Sequence, residues 1–417
     1  MREMNEGKWL NKKVSRREML KMTGVGVVGV AIGATGLGGA MKVMGYDVLE
    51  VVSDNPLSKN KVNFYGKYQS GIATPVQKHV YFASLNVLFD TPEKLKQLFQ
   101  KWTPMIVRLM NGEQIDEMSS NSYVPPVDTG EAEGLNANNL TITVGVGPSL
   151  FKKLNIEHIK PKELEDLPHF PKDQLQEAYT GGDICIQACA DDPQVAFHAV
   201  RNLVRQASGQ VVIHWAQAGF NSFPEGGGTP RNLFAFKDGT VNPKTDEEFK
   251  EVVWCDSGWM KNGTYLIVRK IQMHLETWDR TSLKDQETTF GRYRDSGAPI
   301  GKKDEFDDFD IEEKDENGNY IIPEISHVHL ARKSGAKILR RAFSYASGIV
   351  DKTGAHDAGL LFISFQKSPK QFITIQNSLG RMDKLNEYIT HRGSAIFACF
   401  PGVKEGGYLG ETLFKAL

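Results

Sequence analysis

Three short segments of the chain hold ionisable side chains that could do chemistry. The first is NLFAFKDGTVNP (residues 232–243), where Asp238 precedes a glycine in a run of mostly apolar and small residues. A carboxylate placed beside a substrate can act as a general base and then as a general acid. Aspartate is also common in turns, and the segment taken alone favours a turn.

Two histidines form the second candidate, in ISHVHLAR (residues 325–332). The apolar neighbours predict a short strand, and side chains two residues apart on a strand point to one face. His327 and His329 could therefore bind a transition metal together. The alternative is one packed and one exposed histidine, and the spacing alone favours it.

Two consecutive arginines lie in ILRRAFSY (residues 338–345), which also predicts a strand. Successive strand side chains face opposite sides, so at most one of Arg340 and Arg341 points into the core. A buried guanidinium keeps its charge and needs an anion or a polar partner. Asp238 could be that partner, and a purely structural ion pair is the alternative.

Several function classes are excluded by what the sequence lacks. The glycines at residues 226–228 are not followed by G-K-[ST], and no G-x-G-x-x-G joins a strand to a helix, which argues against nucleotide binding. Neither G-x-S-x-G nor H-E-x-x-H occurs, so simple hydrolases have no support. A net charge of −1 argues against nucleic acid as a partner. Cys185 and Cys189 lie in an apolar run and are predicted to be buried thiols.

The elements that must position these segments form two similar halves. The pattern predicts strands at residues 79–87, 140–146, 183–190, 265–275 and 359–366, and helices at residues 92–102, after Asp192 and after residue 368. When Pro193 is aligned with Pro369, both halves read as a strand, a short turn and an amphipathic segment. This favours two similarly built α+β halves, with a boundary in SFPEGGGTPRN (residues 222–232).

A charged segment interrupts the second half. Residues 304–316, DEFDDFDIEEKDE, hold nine acidic residues among thirteen. We call this segment the acidic insertion. It could collect calcium or iron, but it lacks the order of an EF-hand loop, so a solvated surface insertion is favoured.

The N-terminus has the pattern of an export signal. SRREMLK (residues 15–21) is followed by twenty uncharged residues that include seven glycines. Paired arginines before a weakly apolar segment are typical of the twin-arginine route, which exports folded proteins. An ordinary secretory signal or a membrane anchor is the alternative, and the sequence leaves cleavage of the signal open.

Together these segments resemble, in their order along the chain, the signature blocks of the dye-decolorizing peroxidases. The similarity is greatest to the exported, iron-uptake-associated EfeB-type deferrochelatase/peroxidases and extends from about residue 65 to the C-terminus. Further matching blocks are GIATPVQ, LTITVGVGPSLF, GGDICIQACADDPQVAFHAVRNLV, DRTSLKDQETTFGR, GLLFISFQ and FPGVKEGGYLG. The resemblance implies an α+β fold of two ferredoxin-like modules packed into one unit. The expected divisions are residues 1–57 (signal and linker), 58–222 and 223–417, with haem b in the last.

The resemblance also implies roles for individual residues. His327 matches the proximal haem ligand and is therefore the metal ligand, whereas His329 falls where relatives often have another polar residue. Asp238 matches the distal aspartate, and Arg340 matches the distal arginine. Asp383 matches a carboxylate that orients the proximal imidazole.

Contacts to the haem edge are implied for the backbone after the distal aspartate, at Gly239, Thr240 and Val241. One position departs from the family pattern, because the first glycine of the G-x-x-D-G motif is Ala235 here. If the position requires a positive φ, alanine is strained. If it requires only a small side chain, alanine is harmless, and the intact remaining blocks favour this second interpretation.

The function implied by the resemblance is that of a haem b-dependent peroxidase that uses hydrogen peroxide. Its expected donor is ferrous iron, oxidised to ferric iron for a membrane iron-permease complex, with dyes as artificial donors. The alternatives are a deferrochelatase that takes iron from haem and leaves the porphyrin intact, and a non-catalytic haem- or iron-binding protein. The expected location is periplasmic or at the cell surface after passage through the twin-arginine (Tat) machinery. The sequence leaves a homo-oligomer open.

Overall fold

The computed structural model describes residues 60–117, 121–225 and 227–417. The predicted signal and linker (residues 1–57) lie outside the described residues. The described chain forms nine strands: β1 (His79–Val87), β2 (Thr141–Val146), β3 (Ile184–Ala190), β4 (Val211–Phe220), β5 (Thr264–Met273), β6 (Leu339–Arg340), β7 (Phe343–Ile349), β8 (His356–Gln366) and β9 (Ile389–Cys399).

The helices of the same residues are α1 (Pro92–Met110), α2 (Pro148–Lys153), α3 (Pro193–Gln206), α4 (Asp246–Val252), α5 (Leu275–Trp278), α6 (Leu283–Phe290), α7 (His327–Lys333), α8 (Pro369–Leu379) and α9 (Glu411–Phe414). Proline at the first helical position starts α1, α2, α3 and α8, where its missing N–H costs nothing. Throughout the described residues, none of the helices combines the length and the apolar character needed to cross a membrane.

The N-terminal half is a ferredoxin-like module. Its strands pair antiparallel in the order β4–β1–β3–β2. Helix α1 connects β1 to β2, and α3 connects β3 to β4, which gives the β-α-β-β-α-β order of that fold. Helix α3 begins where Asp192 accepts hydrogen bonds from the two backbone N–H groups of residues 194 and 195, at 2.8 and 3.0 Å.

The C-terminal half is a second module with a similar arrangement of strands and helices. Its strands pair antiparallel in the order β7–β8–β5–β9, with α5 and α6 after β5 and α8 between β8 and β9. The two sheets meet where Gly145 pairs with Cys399 and where Phe220 pairs with Ser344. The pairings of these eight strands therefore form a closed ring, and the predicted α+β fold of two ferredoxin-like modules is confirmed. The predicted boundary at residues 222 and 223 stays a prediction.

Residues of both modules fill the inside of this ring. Phe82, Cys185 and Cys189 from the first module and Leu266 and Phe397 from the second belong to one buried cluster. Each of the five side chains is 0% exposed. The prediction of buried thiols is therefore confirmed, and the shared core fixes one module against the other.

The acidic insertion connects α6 to α7 and contains neither helix nor strand. Most of its residues are exposed, as predicted, but Glu305 and Phe309 are buried at 8% and 7% exposure. Within the described parts of the chain, no group of three or more histidine, cysteine or acidic side chains is arranged to hold a metal ion.

Candidate functional site

Asp238 and Arg340 form an ion pair, between Oδ1 of the carboxylate and Nη2 of the guanidinium. Both side chains line a cavity of about 240 Å³, together with Gly239, Asn242 and Leu360 and neighbouring residues. Burial lowers the pKa of Arg340 to about 10, so the guanidinium remains charged at neutral pH. The pairing that the sequence suggested is thus present, and it faces a space that a small molecule can enter.

Arg341 also lines this cavity and is 2% exposed. Its guanidinium donates hydrogen bonds to the carbonyl oxygens of Thr74 at 2.6 Å and Pro75 at 3.0 Å, and to the side chain of Gln77. The predicted strand is interrupted at this point, because β6 ends at Arg340 and β7 begins at Phe343. Val76 lines the Asp238 cavity, so Arg341 holds one wall of the cavity in place.

We call residues 229–243, which carry Asp238, the aspartate loop. The side chain of Asn232 accepts hydrogen bonds from the backbone N–H of Phe234 at 3.0 Å and of Phe236 at 3.3 Å. The backbone N–H of Asp238 donates to the carbonyl of Pro230 at 2.9 Å. These bonds close the loop into a tight turn before the aspartate, since an asparagine side chain can replace a backbone partner.

The interpretation that Ala235 is harmless was wrong. Its φ is 68°, in the left-handed region that side chains with a Cβ adopt at a cost. The turn requires this conformation because Ala235 donates its N–H to the Asn232 carbonyl at 2.9 Å, and its own carbonyl accepts from Arg231 at 2.7 Å. A glycine at this position would adopt the same φ without the cost of a Cβ.

We expect Ala235→Gly to stabilise the protein by about 0.5–1 kcal/mol, because relief of the strained φ outweighs the added flexibility of the unfolded chain. The methyl group is exposed, so little packing is lost. Urea unfolding of the haem-free protein measures the change. Ala178→Gly is the matched control, since Ala178 is exposed in a 3-10 turn, and we expect it to destabilise. Equal effects of the two variants would contradict the prediction.

Asn242 ties the aspartate loop to the strand that carries Arg340. Its side-chain amide donates to the Arg340 carbonyl at 2.7 Å, and its side-chain oxygen accepts from the Arg340 N–H at 2.9 Å. This reciprocal pair fixes the backbones of the two ionised residues relative to each other. Asn242 was not predicted as a site residue, although asparagine before proline in NP (residues 242–243) is a turn signal that marked the position.

His327 and Asp383 form a second pair. Nδ1 of the imidazole lies 2.7 Å from Oδ2 of the carboxylate, and the other carboxylate oxygen accepts from the Leu385 N–H at 2.9 Å. Burial alone lowers the pKa of His327, but the adjacent Asp383 carboxylate outweighs it, so its pKa is raised. Because Nδ1 is engaged, Nε2 is the nitrogen left to ligate a metal. The imidazole is 27% exposed and so open to a ligand.

The predicted strand around the two histidines was wrong, because both lie at the start of α7. Ser326 is the N-cap and accepts from the His329 N–H at 3.4 Å, and serine strongly favours that position. On a helix, residues two apart face different directions. His329 is accordingly 1% exposed, with Nδ1 at 3.2 Å from the Ile322 carbonyl, so it does not share a metal with His327.

An aromatic cluster supports both pairs. It consists of buried rings from the aspartate loop, α5, α6 and the segment after Asp383: Phe234, Phe236, Trp278, Phe290 and Tyr388. Phe236 and Phe290 stack with ring centroids 4.0 Å apart, and Phe290 lies 6.4 Å from the His327 ring. One rigid group of rings therefore positions the aspartate loop and the histidine together.

The residues fit a haem. An orientated histidine with a free Nε2 and a carboxylate partner is the donor set expected for haem iron. Arg340 has a buried Nε without a hydrogen-bond partner, which a polar ligand could satisfy. Gly239 has φ 108°, and a Cβ there would meet only Asn242 at 3.8 Å, which leaves room for a flat group. Val241 is 74% exposed. The edge contacts of Gly239, Thr240 and Val241 stay predictions.

Comparison with known proteins agrees with this geometry. The family model for the N-terminal part of Dyp-type peroxidases matches residues 69–221, and the model for the C-terminal part matches residues 229–404. The chain belongs to the Dyp-type peroxidase family. It is therefore a peroxidase, an oxidoreductase whose cofactor is haem.

Its relatives extend along nearly the whole chain. Proteins named deferrochelatase from Escherichia coli O157:H7 and Shigella sonnei are 35% and 36% identical over 424 residues, covering 96% of this chain and 97% of each relative. The crystal structure of a DyP-type peroxidase from Streptomyces coelicolor matches with a TM-score of 0.80 at 35% identity, over 86% of this chain and 98% of that one. Ferric DtpA from Streptomyces lividans matches with a TM-score of 0.79 at 34% identity, over 86% and 99%.

Proposed function

We propose that His327 would hold haem iron through Nε2 and that Asp238 and Arg340 act on hydrogen peroxide in the cavity that they line. The observation that carries the proposal is the Asp238–Arg340 ion pair in a cavity, held to the same aromatic cluster as the His327–Asp383 pair. Haem, when bound, accepts the oxidising equivalents of peroxide.

The protein's own residues then supply proton transfer and charge. Asp238 takes the proton from one peroxide oxygen and returns it to the other, which leaves as water. Arg340 stabilises the negative charge that develops as the O–O bond separates, and it orients the peroxide. Asp383 accepts a hydrogen bond from the Nδ1–H of His327, which raises the basicity of Nε2 toward the iron. Asn242 and Arg341 keep this arrangement rigid.

The physiological donor that we propose is ferrous iron, oxidised to ferric iron for a membrane permease complex, after export of the folded protein by the twin-arginine route to the periplasm or cell surface. This proposal rests on the relatives named deferrochelatase and on the paired arginines of the N-terminus. Bulky dyes would then be artificial donors.

Removal of iron from haem with the porphyrin intact is a second candidate function, favoured by the name deferrochelatase of those relatives. Absorption spectroscopy separates the two. A Soret band that shifts on addition of peroxide supports the peroxidase. Appearance of free porphyrin on incubation with haem, in the absence of peroxide, supports iron removal. Purified protein that shows no Soret band after incubation with haem would contradict both.

We expect peroxide-driven oxidation to remain fast at acid pH. A general base must be ionised, and an aspartate has a reference pKa near 3.9, against about 6.5 for histidine. A carboxylate base therefore keeps its proton-accepting form at a more acid pH than an imidazole does. The rate of the Soret shift between pH 3 and pH 9 measures this, with Asp238→His as the comparison, whose rate should fall off at a higher pH. Rates of the two proteins that fall off at the same pH would count against Asp238 as the proton acceptor.

A further inference from the structure

The acidic insertion contributes one buried carboxylate to the aspartate loop. Glu305 is 8% exposed. Its carboxylate accepts hydrogen bonds from Lys237 Nζ at 2.6 Å, from the Thr240 hydroxyl at 2.8 Å and from the Thr229 hydroxyl. These three donors flank Asp238 on both sides of the turn, so Glu305 connects the chain entering the turn to the chain leaving it.

Glu305 is itself held firmly. Its backbone carbonyl accepts from Arg292 Nη1 at 3.0 Å, and Arg292 is 7% exposed. Burial alone raises the pKa of Glu305, but the hydrogen bonds from Lys237, Thr229 and Thr240 outweigh it, so its pKa lies below its ordinary value. The carboxylate is therefore ionised at neutral pH. A fully paired, buried anion is a strong and directional anchor.

The anchor also places the next residue against the cavity. Phe306 lines the same cavity as Asp238 and Arg340, and Lys244 Nζ lies 4.4 Å from the centre of its ring. The first residues of the acidic insertion are therefore part of the wall around the site.

We propose that Glu305 is a positioning residue, whose carboxylate holds the aspartate loop so that Asp238 stays opposite Arg340 in the geometry needed for proton transfer. This inference rests on the proposed role of Asp238. A catalytic group displaced by about 1 Å can lose roughly a hundredfold in rate. Loss of the Glu305 anchor acts on the reaction only through that displacement.

A double-mutant cycle tests the inference. In haem-loaded protein, Glu305→Gln should lower the second-order rate of the peroxide-induced Soret shift by about tenfold to a hundredfold. The same change in an Asp238→Ala background should have no further effect, because residues that act as a unit are not additive. Glu305→Asp should restore part of the rate. Glu313→Gln is the matched control, since Glu313 belongs to the acidic insertion but is 42% exposed and pairs with Lys302 at 3.0 Å.

Hydrogen exchange gives a readout independent of haem. In the haem-free protein, Glu305→Gln should speed exchange of the amides of residues 229–240, and Glu313→Gln should leave them unchanged. If Glu305→Gln folds poorly, Lys237→Met replaces it as the test variant. Lys237→Met keeps the buried carboxylate but removes one of its donors, and it should also speed exchange of the amides of the aspartate loop.

Three results would overturn the inference: a wild-type peroxide rate in Glu305→Gln, an equal loss in both Asp238 backgrounds, or unchanged exchange of the aspartate loop. Failure of the proposed function would look different. Asp238→Ala alone would then react at the wild-type rate, whatever the Glu305 variants do.

Discussion

His327→Ala is expected to lose haem. The substitution removes an imidazole whose Nδ1 is held by a buried carboxylate and whose other nitrogen is left for iron. Loss of an outer-shell partner of a metal ligand typically lowers metal affinity by about 10–100-fold, and loss of the ligand itself should exceed that. The measurements are haem content after purification and the dissociation constant from a Soret titration of the haem-free protein.

Two variants separate ligation from folding. His329→Ala removes the histidine two residues further along α7, which is buried against the Ile322 carbonyl, and it should keep its haem affinity even if it is less stable. Asp383→Ala should retain haem weakly, because His327 stays but loses its orientation. Added imidazole should restore the Soret band of His327→Ala. Full haem retention by His327→Ala would contradict the assignment.

The sheets could be predicted from the sequence because their signal is local. Residues 79–87 alternate or run apolar over a strand length, and the structure has β1 at His79–Val87. The segment around His327 is different, because a short apolar run is compatible both with the two-residue period of a strand and with the 3.6-residue period of a helix. Ser326 stabilises the helix as its N-cap, and the sequence shows this serine just before the apolar run.

The site could be predicted only as separate blocks. Nothing in the spacing places Asp238 beside Arg340, since about a hundred residues lie between them, and the pairing became a hypothesis through the need of a buried guanidinium for an anion. The positive φ of Ala235 was one of two alternatives and was not the one favoured, because a backbone dihedral depends on the turn that the loop closes. Phe309 was the overlooked signal in the acidic insertion, because an apolar residue in a charged run indicates that part of it is packed, and Phe309 is buried.

The Asp238 carboxylate should matter for rate and not for haem binding. Asp238 lines the cavity together with Arg340 and pairs with it. In the described part of the chain, neither a hydrogen bond nor an ion pair joins Asp238 to His327 or Asp383. We expect Asp238→Ala to bind haem as the wild type does and to react with peroxide about 10²–10⁴-fold more slowly, the usual contribution of general acid–base catalysis. Stopped-flow measurement of the Soret shift at several peroxide concentrations gives the second-order rate.

Asp238→Asn separates proton transfer from shape. It keeps the size of the side chain and a hydrogen-bond acceptor for Arg340 but cannot take a proton, so it should be nearly as slow as Asp238→Ala. Asp246→Asn, at the exposed first turn of α4, is the matched control and should react at the wild-type rate. A fast Asp238→Asn with a slow Asp238→Ala would instead assign the aspartate to holding Arg340 in place. Such a result would move the proton transfer to water, because Arg340 stays protonated at neutral pH.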